Sequence, residues 1–320
     1  MNIGILTHAS IGSWEHVGVA IENAIDSING LFKDFMDFLT NDNIYQEIMG
    51  NNVLQNIMST VKGIALSLLV LVFFVNFLGK TLNLQWVTWE NVLMLLLQLV
   101  VAKVCVQNSE WLMDKTQSAF TSMVQTVPSF DFIEKGTTKV VDVNGRVGGF
   151  LWWDREDSAP VSVDTSYFYF LDEQDAAKAA GAVHGEITIK PKALDLSPVF
   201  AYMGVFLNSF IMKAILIVAF VIMISRYMWL AVYTVAAPLS LATFAGDETK
   251  EIGKNFIKSY IGCCMHVLVL VIICAAFMAM TSAITEVSAL GGFIGLVKTF
   301  AFGGMIMKSE SIANKLCGAM

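Results

Sequence analysis

The sequence predicts an all-α polytopic membrane protein with about five transmembrane helices, an N-terminal amphipathic helix and a small strand-containing insertion outside the membrane. Its 320 residues are 56% apolar and only 15% charged, whereas soluble domains are about 45–50% apolar and about 25% charged. The apolar residues form separate runs, each long enough to cross a bilayer. A net charge of −7 also argues against a basic nucleic-acid-binding surface. These features exclude an ordinary soluble enzyme.

The first 59 residues are predicted to be an amphipathic helical region outside the membrane. Between residues 13 and 39, apolar side chains recur at gaps of three and four, which places them on one face of a helix. Helices that lie on membrane surfaces are usually rich in lysine and arginine, but this one carries a single lysine among several acids. We therefore expect the apolar face to pack against protein. A loop and a second amphipathic piece, around 44–58, should follow.

Five apolar runs are expected to cross the membrane. The segment 60–106 holds the first two and the segment 198–308 holds the other three, leaving 309–320 as a short cytoplasmic tail. The runs are 63–79, 86–106, 198–226, 260–284 and 290–307.

A further apolar stretch, 227–245, contains Ala237 and Pro238. Because proline breaks helices, we expect a bend or re-entrant piece near 236–246 instead of a separate crossing. Lysines then collect on one side, which the positive-inside rule makes the cytoplasmic side. The chain is thus predicted to lie in the cytoplasmic membrane with its N-terminus outside and its C-terminus inside. If 227–245 does cross, the lysines of 247–258 and of the tail move outside.

The insertion at 107–197 is acidic and expected outside. From 131 to 197 it holds 12 Asp and Glu against 7 Lys and Arg. Asn144-Gly145 lies between short β-prone runs and predicts a hairpin turn, and a second strand pattern occupies 185–190. Aromatic clusters at 151–153 and 167–170 form either the core of this domain or a docking patch for a partner.

No catalytic constellation, cofactor site or metal site is predicted. Gly79-Lys80-Thr81 resembles the end of a phosphate-binding loop but lacks the first glycine of that motif. Cys263, Cys264 and His266 are adjacent in sequence, yet they lack the spacing and second ligand pair of a zinc site. We expect a protein that is not an enzyme.

Polar residues inside the apolar runs are the first candidate functional positions: Asn208, Lys213 and Arg226. Ionisable groups at membrane depth generally face a bundle interior, a water-filled cavity or another subunit. For Lys213 a structural salt bridge, a pore-lining role and a lipid-headgroup role all stay open. A stripe of small residues follows in the last run and permits close helix packing, either within the chain or between subunits. It consists of Gly291, Gly295, Thr299 and Gly303.

The order of the runs, together with one motif, resembles the TrbL family of inner-membrane components of type IV secretion (conjugation) systems. The residues that carry the match are Arg226, Tyr227, Tyr233, Ala237, Pro238, Leu239, Ala242 and Thr243, then Gly253, Asn255, Phe256 and Tyr260. The resemblance implies a non-enzymatic channel or scaffold subunit that forms a homo-oligomer in the lipid membrane. Its implied partners are other secretion subunits, including membrane-associated ATPases. It also implies transient contact with a translocated DNA–protein substrate, without stable nucleic-acid binding.

Two other functions compete with this one. The chain could be a secondary transporter or small-solute channel that uses Lys213 and Arg226, although transporters usually show two related halves and these runs do not. It could also be a membrane anchor whose active part is the acidic insertion.

Overall fold

The computed structural model describes residues 14–41, 43–82, 89–127, 138–145, 157–164, 171, 173–183, 197–283 and 294–318. Within these residues the fold is all-α with one two-stranded sheet. The helices are α1 (Trp14–Thr40), α2 (Asn43–Met49), α3 (Asn52–Leu82), α4 (Trp89–Gln107), α5 (Ser109–Gln125), α6 (Glu173–Val183), α7 (Ser197–Ala242), α8 (Lys250–Ala283) and α9 (Ile294–Leu316). The strands are β1 (Thr138–Gly145) and β2 (Asp157–Asp164).

The chain divides into two compact units. The first comprises Met1–Met36, Ser129–Ala219 and Ile272–Met307. The second comprises Asp37–Pro128, Phe220–Val271 and Lys308–Met320. Helices α1, α7, α8 and α9 each contribute residues to both units.

Three described helices are long and apolar enough to cross a membrane. They are Asn52–Thr81, Pro198–Ala245 and Lys250–Thr281. A fourth crossing is possible if Val92–Gln107 and Ser109–Gln125, which meet at a bend of 69°, count as one broken span. The protein is thus a helical membrane protein, whereas five spans are not established. Helix α9 is not among the candidate spans because lysine and glutamate interrupt its apolar run.

The amphipathic helix is confirmed. Its predicted apolar stripe is buried in protein, with Ile21, Ile28 and Phe35 completely covered. In the first unit, α1 meets α6 closely: a β-carbon on Gly18 would lie 2.7 Å from the carbonyl oxygen of Ala179. The second predicted piece is shorter than expected, because α2 ends at Met49 and the residues from Asn52 onward already belong to α3.

The chain turns within the predicted region 236–246, but the helix does not break at Pro238 itself. Helix α7 passes through Pro238 and ends at Ala242, followed by a 3-10 turn at Thr243–Ala245. The buried Ala237 and Leu241 on either side of the proline keep this turn of helix packed against protein, where a missing backbone donor is tolerated. The chain therefore reverses after Ala242.

Helices α8 and α9 are also longer than predicted. The run expected to start at residue 260 begins ten residues earlier, at Lys250. Residues 309–316, expected as a free tail, continue α9 and pack beside α8: a β-carbon on Gly262 would lie 3.5 Å from the α-carbon of Asn314. Gly262 is about 18 Å along α8 from Lys250. The end of α9 therefore lies beside the middle of the second unit's α8 segment.

The insertion contains a hairpin, but its turn is not at Asn144-Gly145. Strands β1 and β2 pair antiparallel, with Asn144 opposite Ser158. The alternating buried valines of β1, Val141 and Val143, belong to the same small core as Val161 and Val163 of β2. The predicted strand at 185–190 and the aromatic clusters at 151–153 and 167–170 lie outside the described residues.

Candidate functional site

Arg226 is the centre of a buried polar layer in the second unit. Its side chain is 3% exposed on α7, and its Nε donates a hydrogen bond to the carbonyl oxygen of Cys263 on α8 at 3.0 Å. The thiol of Cys263 in turn lies 3.9 Å from the carbonyl oxygen of Arg226. The two residues therefore join α7 to α8 in both directions.

The remaining donors of Arg226 are unsatisfied. Its Nη1 and Nη2 are buried and have no hydrogen-bond partner in the part of the chain that the structure describes. A guanidinium stays charged in proteins. The ring of Tyr227, whose centroid is 5.4 Å from the Cζ of Arg226, offers a cation–π contact but no hydrogen-bond acceptor for Nη1 and Nη2. Arg226 is thus the described side chain whose chemistry most clearly calls for another group.

His266 and Ser309 extend the layer to α9. The His266 Nε2 and the Ser309 Oγ lie 2.7 Å apart, and both residues are buried. Arg226 lies near His266. Sequence reasoning missed Ser309 because it assigned that residue to a tail. The spacing of residues in this segment does indicate that the helix continues, because gaps of four and three place them on one helix face. The residues are Phe302, Ile306, Ser309 and Ala313, and in the structure all four are buried.

Tyrosines form a second polar layer in the same unit. The Tyr45 hydroxyl on α2 is 2.9 Å from the Thr234 hydroxyl on α7, and burial raises the pKa of Tyr45 to about 12. The Tyr260 hydroxyl on α8 donates to the carbonyl oxygen of Met113 on α5 at 2.7 Å. These bonds attach the peripheral helices α2 and α5 to the long helices.

Several of the residues that carry the family resemblance lie in these contacts, whereas Leu239 and Asn255 are exposed. Tyr227 donates towards the carbonyl oxygens of Phe38 and Asn41, each at 3.3 Å, at the end of α1. The ring of Tyr233 meets the rings of Phe256 and Tyr260 edge-on, at centroid distances of 5.8 and 6.3 Å. The aromatic residues of the motif therefore contribute to the internal packing of the second unit.

Asn208 and Thr299 meet in the first unit. The Thr299 hydroxyl is 2.7 Å from the Asn208 Oδ1 and 2.9 Å from the carbonyl oxygen of Gly295. The Asn208 Nδ2 is buried and has no partner among the described residues. Asn208 was predicted as an intramembrane polar contact and Thr299 as a helix-packing residue. The two side chains contact each other between α7 and α9.

The small-residue stripe packs within the chain where it is described. A β-carbon on Gly303 would lie 2.9 Å from the Cδ1 of Ile215 on α7. Gly295, Thr299 and Gly303 are all buried, whereas Gly291 lies outside the described residues. Thr299 and Gly303 therefore serve close approach of α9 to α7.

The intramembrane lysines differ in their surroundings. Lys213 is half-buried on α7 and has no partner among the described side chains. Lys298 is 4% exposed, and its ammonium group lies 3.5 Å from the carbonyl oxygen of Thr281. Lys213 belongs to the first unit and Arg226 to the second.

The turn between α7 and α8 is held by polar groups of α3 and α4. Asn76 donates to the carbonyl oxygen of Ala245 at 3.3 Å, and Gln98 donates to that of Phe244 at 2.8 Å. Lys80 forms an ion pair with Asp247. The hydrogen bond and the positive charge of Lys80 hold the pKa of Asp247 below its usual range. The end of α3 and this turn therefore lie together.

No described group of three or more His, Cys, Asp or Glu side chains could hold a metal ion. Comparisons with protein-family models, with curated proteins and with solved structures find no match for this chain.

Proposed function

We propose that this chain is a non-enzymatic channel or scaffold subunit of a type IV secretion (conjugation) machine in the cytoplasmic membrane. In this role it forms a homo-oligomer, binds other secretion subunits including the membrane-associated ATPases, and makes transient contact with a translocated DNA–protein substrate. The TrbL-like motif supports the family assignment, and one feature of α7 supports a subunit that needs partners.

The feature that carries the proposal is the length of the exposed apolar surface on α7. Large apolar side chains are exposed from Phe200, at 63%, to Leu239, at 41%. Helix α7 is 46 residues long, whereas a transmembrane helix needs about 20 residues and rarely more than about 25. Part of this surface therefore needs protein, which a homo-oligomer supplies.

The packing of the motif gives a second support. Tyr227, Tyr233 and Tyr260 bind α1, α5 and α8 into one framework. Such a framework holds helices at fixed positions, as a scaffold requires. The buried guanidinium of Arg226 provides a place where a carboxylate from a neighbouring subunit could be received after a movement of the helices.

We place the α7–α8 turn on the cytoplasmic side and the N-terminus and insertion outside. The ion pair between Lys80 and Asp247 supports a common side for the end of the first span and this turn, and the lysines nearby fit the positive-inside rule. Five spans follow if α4 and α9 also cross. We accordingly propose a cytoplasmic tail, because five crossings from an outside N-terminus end inside.

The test is a transfer assay in the native host. Deleting the gene should abolish transfer of a marked mobilisable plasmid to recipient cells, and the wild-type gene supplied in trans should restore it. An Arg226→Gln variant that reaches the membrane at the wild-type level should restore transfer poorly, while Lys315→Gln, an exposed charge change, should restore it fully. Unchanged transfer after deletion would refute the proposal. Lost solute uptake with normal transfer would favour the transporter.

A further inference from the structure

A groove of about 540 Å³ lies between α4 and the α7–α8 turn in the second unit. This size is in the range of ligand pockets, about 300–1,000 Å³. Its walls are mostly apolar, and α4 contributes Leu97 and Val101, which are 64% and 54% exposed. Helix α4 thus offers an open apolar surface beside a defined recess.

The polar rim of the groove is basic. Lys250 and Lys254 line it from the first turns of α8, together with Asp247. The carboxylate of Asp247 is held by Lys80 from outside the groove. Lys254 pairs with Glu251 at 2.7 Å, but both side chains are at least half exposed, and such surface pairs are weak. Lys250 likewise lies 3.7 Å from Asp247, and these two side chains are 43% and 37% exposed. Because both ion pairs are exposed and weak, the amino groups of Lys250 and Lys254 can exchange onto an anion.

These two features require a ligand that is both apolar and anionic. Lysines at the end of a membrane-spanning segment attract phosphate headgroups, and the positive end of the α8 dipole adds to the attraction. Acyl chains match the exposed face of α4, which a free phosphate would leave uncovered. Basic pockets between transmembrane helices are known to bind anionic lipid headgroups.

We propose that this groove binds an anionic phospholipid, with its phosphate between Lys250 and Lys254 and its acyl chains along Leu97 and Val101. The bound lipid ties α4 to the start of α8 at the membrane surface. This inference does not depend on the proposed function in secretion.

Native mass spectrometry of the full chain in detergent tests the proposal, with phosphatidylglycerol and phosphatidylcholine of the same acyl chains supplied in equal amounts. The wild type should prefer phosphatidylglycerol. Each lysine should raise the ratio of bound phosphatidylglycerol to bound phosphatidylcholine about fivefold. In a Lys250→Gln, Lys254→Gln variant this ratio should therefore be about 25-fold lower than in the wild type. A Lys308→Gln, Lys315→Gln variant removes the same charge elsewhere and should keep it. The proposal would be overturned if the groove variant and this control variant preferred phosphatidylglycerol to the same extent.

A second pair of variants tests the apolar part. Val101→Trp should fill the groove and reduce binding of both lipids, whereas Val100→Trp, on an equally exposed neighbour outside the groove, should not. Far-UV circular dichroism checks that both remain helical. Unchanged lipid binding by Val101→Trp would overturn the proposal, as would displacement of the lipid by inorganic phosphate alone. Loss of oligomer mass without loss of lipid would identify the groove as a subunit contact and would also overturn it.

Discussion

Replacing Gly303 by leucine separates packing within the chain from packing between subunits. A β-carbon at this position would already lie 2.9 Å from the Cδ1 and 3.1 Å from the Cγ1 of Ile215. On Gly304, the next residue of α9, a β-carbon meets nothing within 4 Å. The two glycines therefore form a matched pair with the same local sequence and different surroundings.

The expected magnitude follows from two opposing effects. Overpacking costs about 1–3 kcal/mol, and leucine belongs at the upper end because its first added carbon is already too close. Replacing glycine in a helix also raises the free energy of unfolding by about 1 kcal/mol, because leucine has the higher helix propensity. Gly303→Leu should therefore lower the free energy of unfolding by about 2 kcal/mol, which is about a 30-fold change in the folding equilibrium. Gly304→Leu should be neutral or stabilising by up to about 1 kcal/mol.

The assay is unfolding of the detergent-solubilised protein by increasing sodium dodecyl sulfate, followed by circular dichroism, with oligomer mass measured separately by light scattering. We expect a lower midpoint for Gly303→Leu only. An unchanged midpoint with a smaller oligomer would refute the reasoning, because Gly303 would then face a neighbouring subunit instead of Ile215.

Two further predictions concern a glycine pair and an ion pair. Gly18→Ala should lower the thermal midpoint, because its β-carbon would lie 2.7 Å from the Ala179 carbonyl oxygen. Gly30→Ala should instead stabilise the protein by about 0.5–1 kcal/mol, because a β-carbon there meets nothing within 4 Å. Equal effects of the two substitutions would contradict the α1–α6 contact. Because Lys80 lowers the pKa of Asp247, the pair should stabilise the protein at pH values above the unfolded pKa of about 3.9 and lose that contribution as the pH falls through the lower folded pKa. As the pH is lowered from about 6 to about 3, the thermal midpoint of the wild type should approach that of the Asp247→Asn variant. A difference between the two midpoints that stays constant over this range would contradict the prediction.

Elements with strong apolar periodicity could be predicted from the sequence. Helix α1 is the clearest case, because its stripe of apolar residues at helical spacing is also the buried face. Helix α5 was missed because its buried face is mostly small or polar: Ser109, Met113, Gln117, Thr121 and Val124. A hydrophobic period cannot reveal such a face, although the spacing of four and three is regular.

Local signals failed where tertiary packing decides the outcome. Pro238 removes the donor that the carbonyl oxygen of Thr234 would otherwise receive, yet α7 continues because its neighbours are buried. Asn144-Gly145 is a strong turn signal, yet these residues are the last two of β1, where they pair with Ser158 and Asp157 of β2. Strand pairing depends on residues that a local signal does not include.

The candidate site was predictable in its members but not in its partners. Arg226, Asn208 and Thr299 stand out because polar groups are rare in apolar runs. Their contacts come from distant positions, such as Cys263 for Arg226 and Ser309 for His266. The sequence could not show that Nη1 and Nη2 of Arg226 are buried without a hydrogen-bond partner among the described residues.

The most direct test of the membrane arrangement is cysteine accessibility in intact cells, in a variant whose five native cysteines are replaced by alanine. An impermeant maleimide should label Ser162→Cys, on the exposed face of β2, without permeabilisation. It should label Glu248→Cys, at the exposed turn before α8, only after the membrane is permeabilised. Labelling of both positions in intact cells, or the reverse pattern, would contradict a chain that crosses the membrane with its insertion outside and this turn inside.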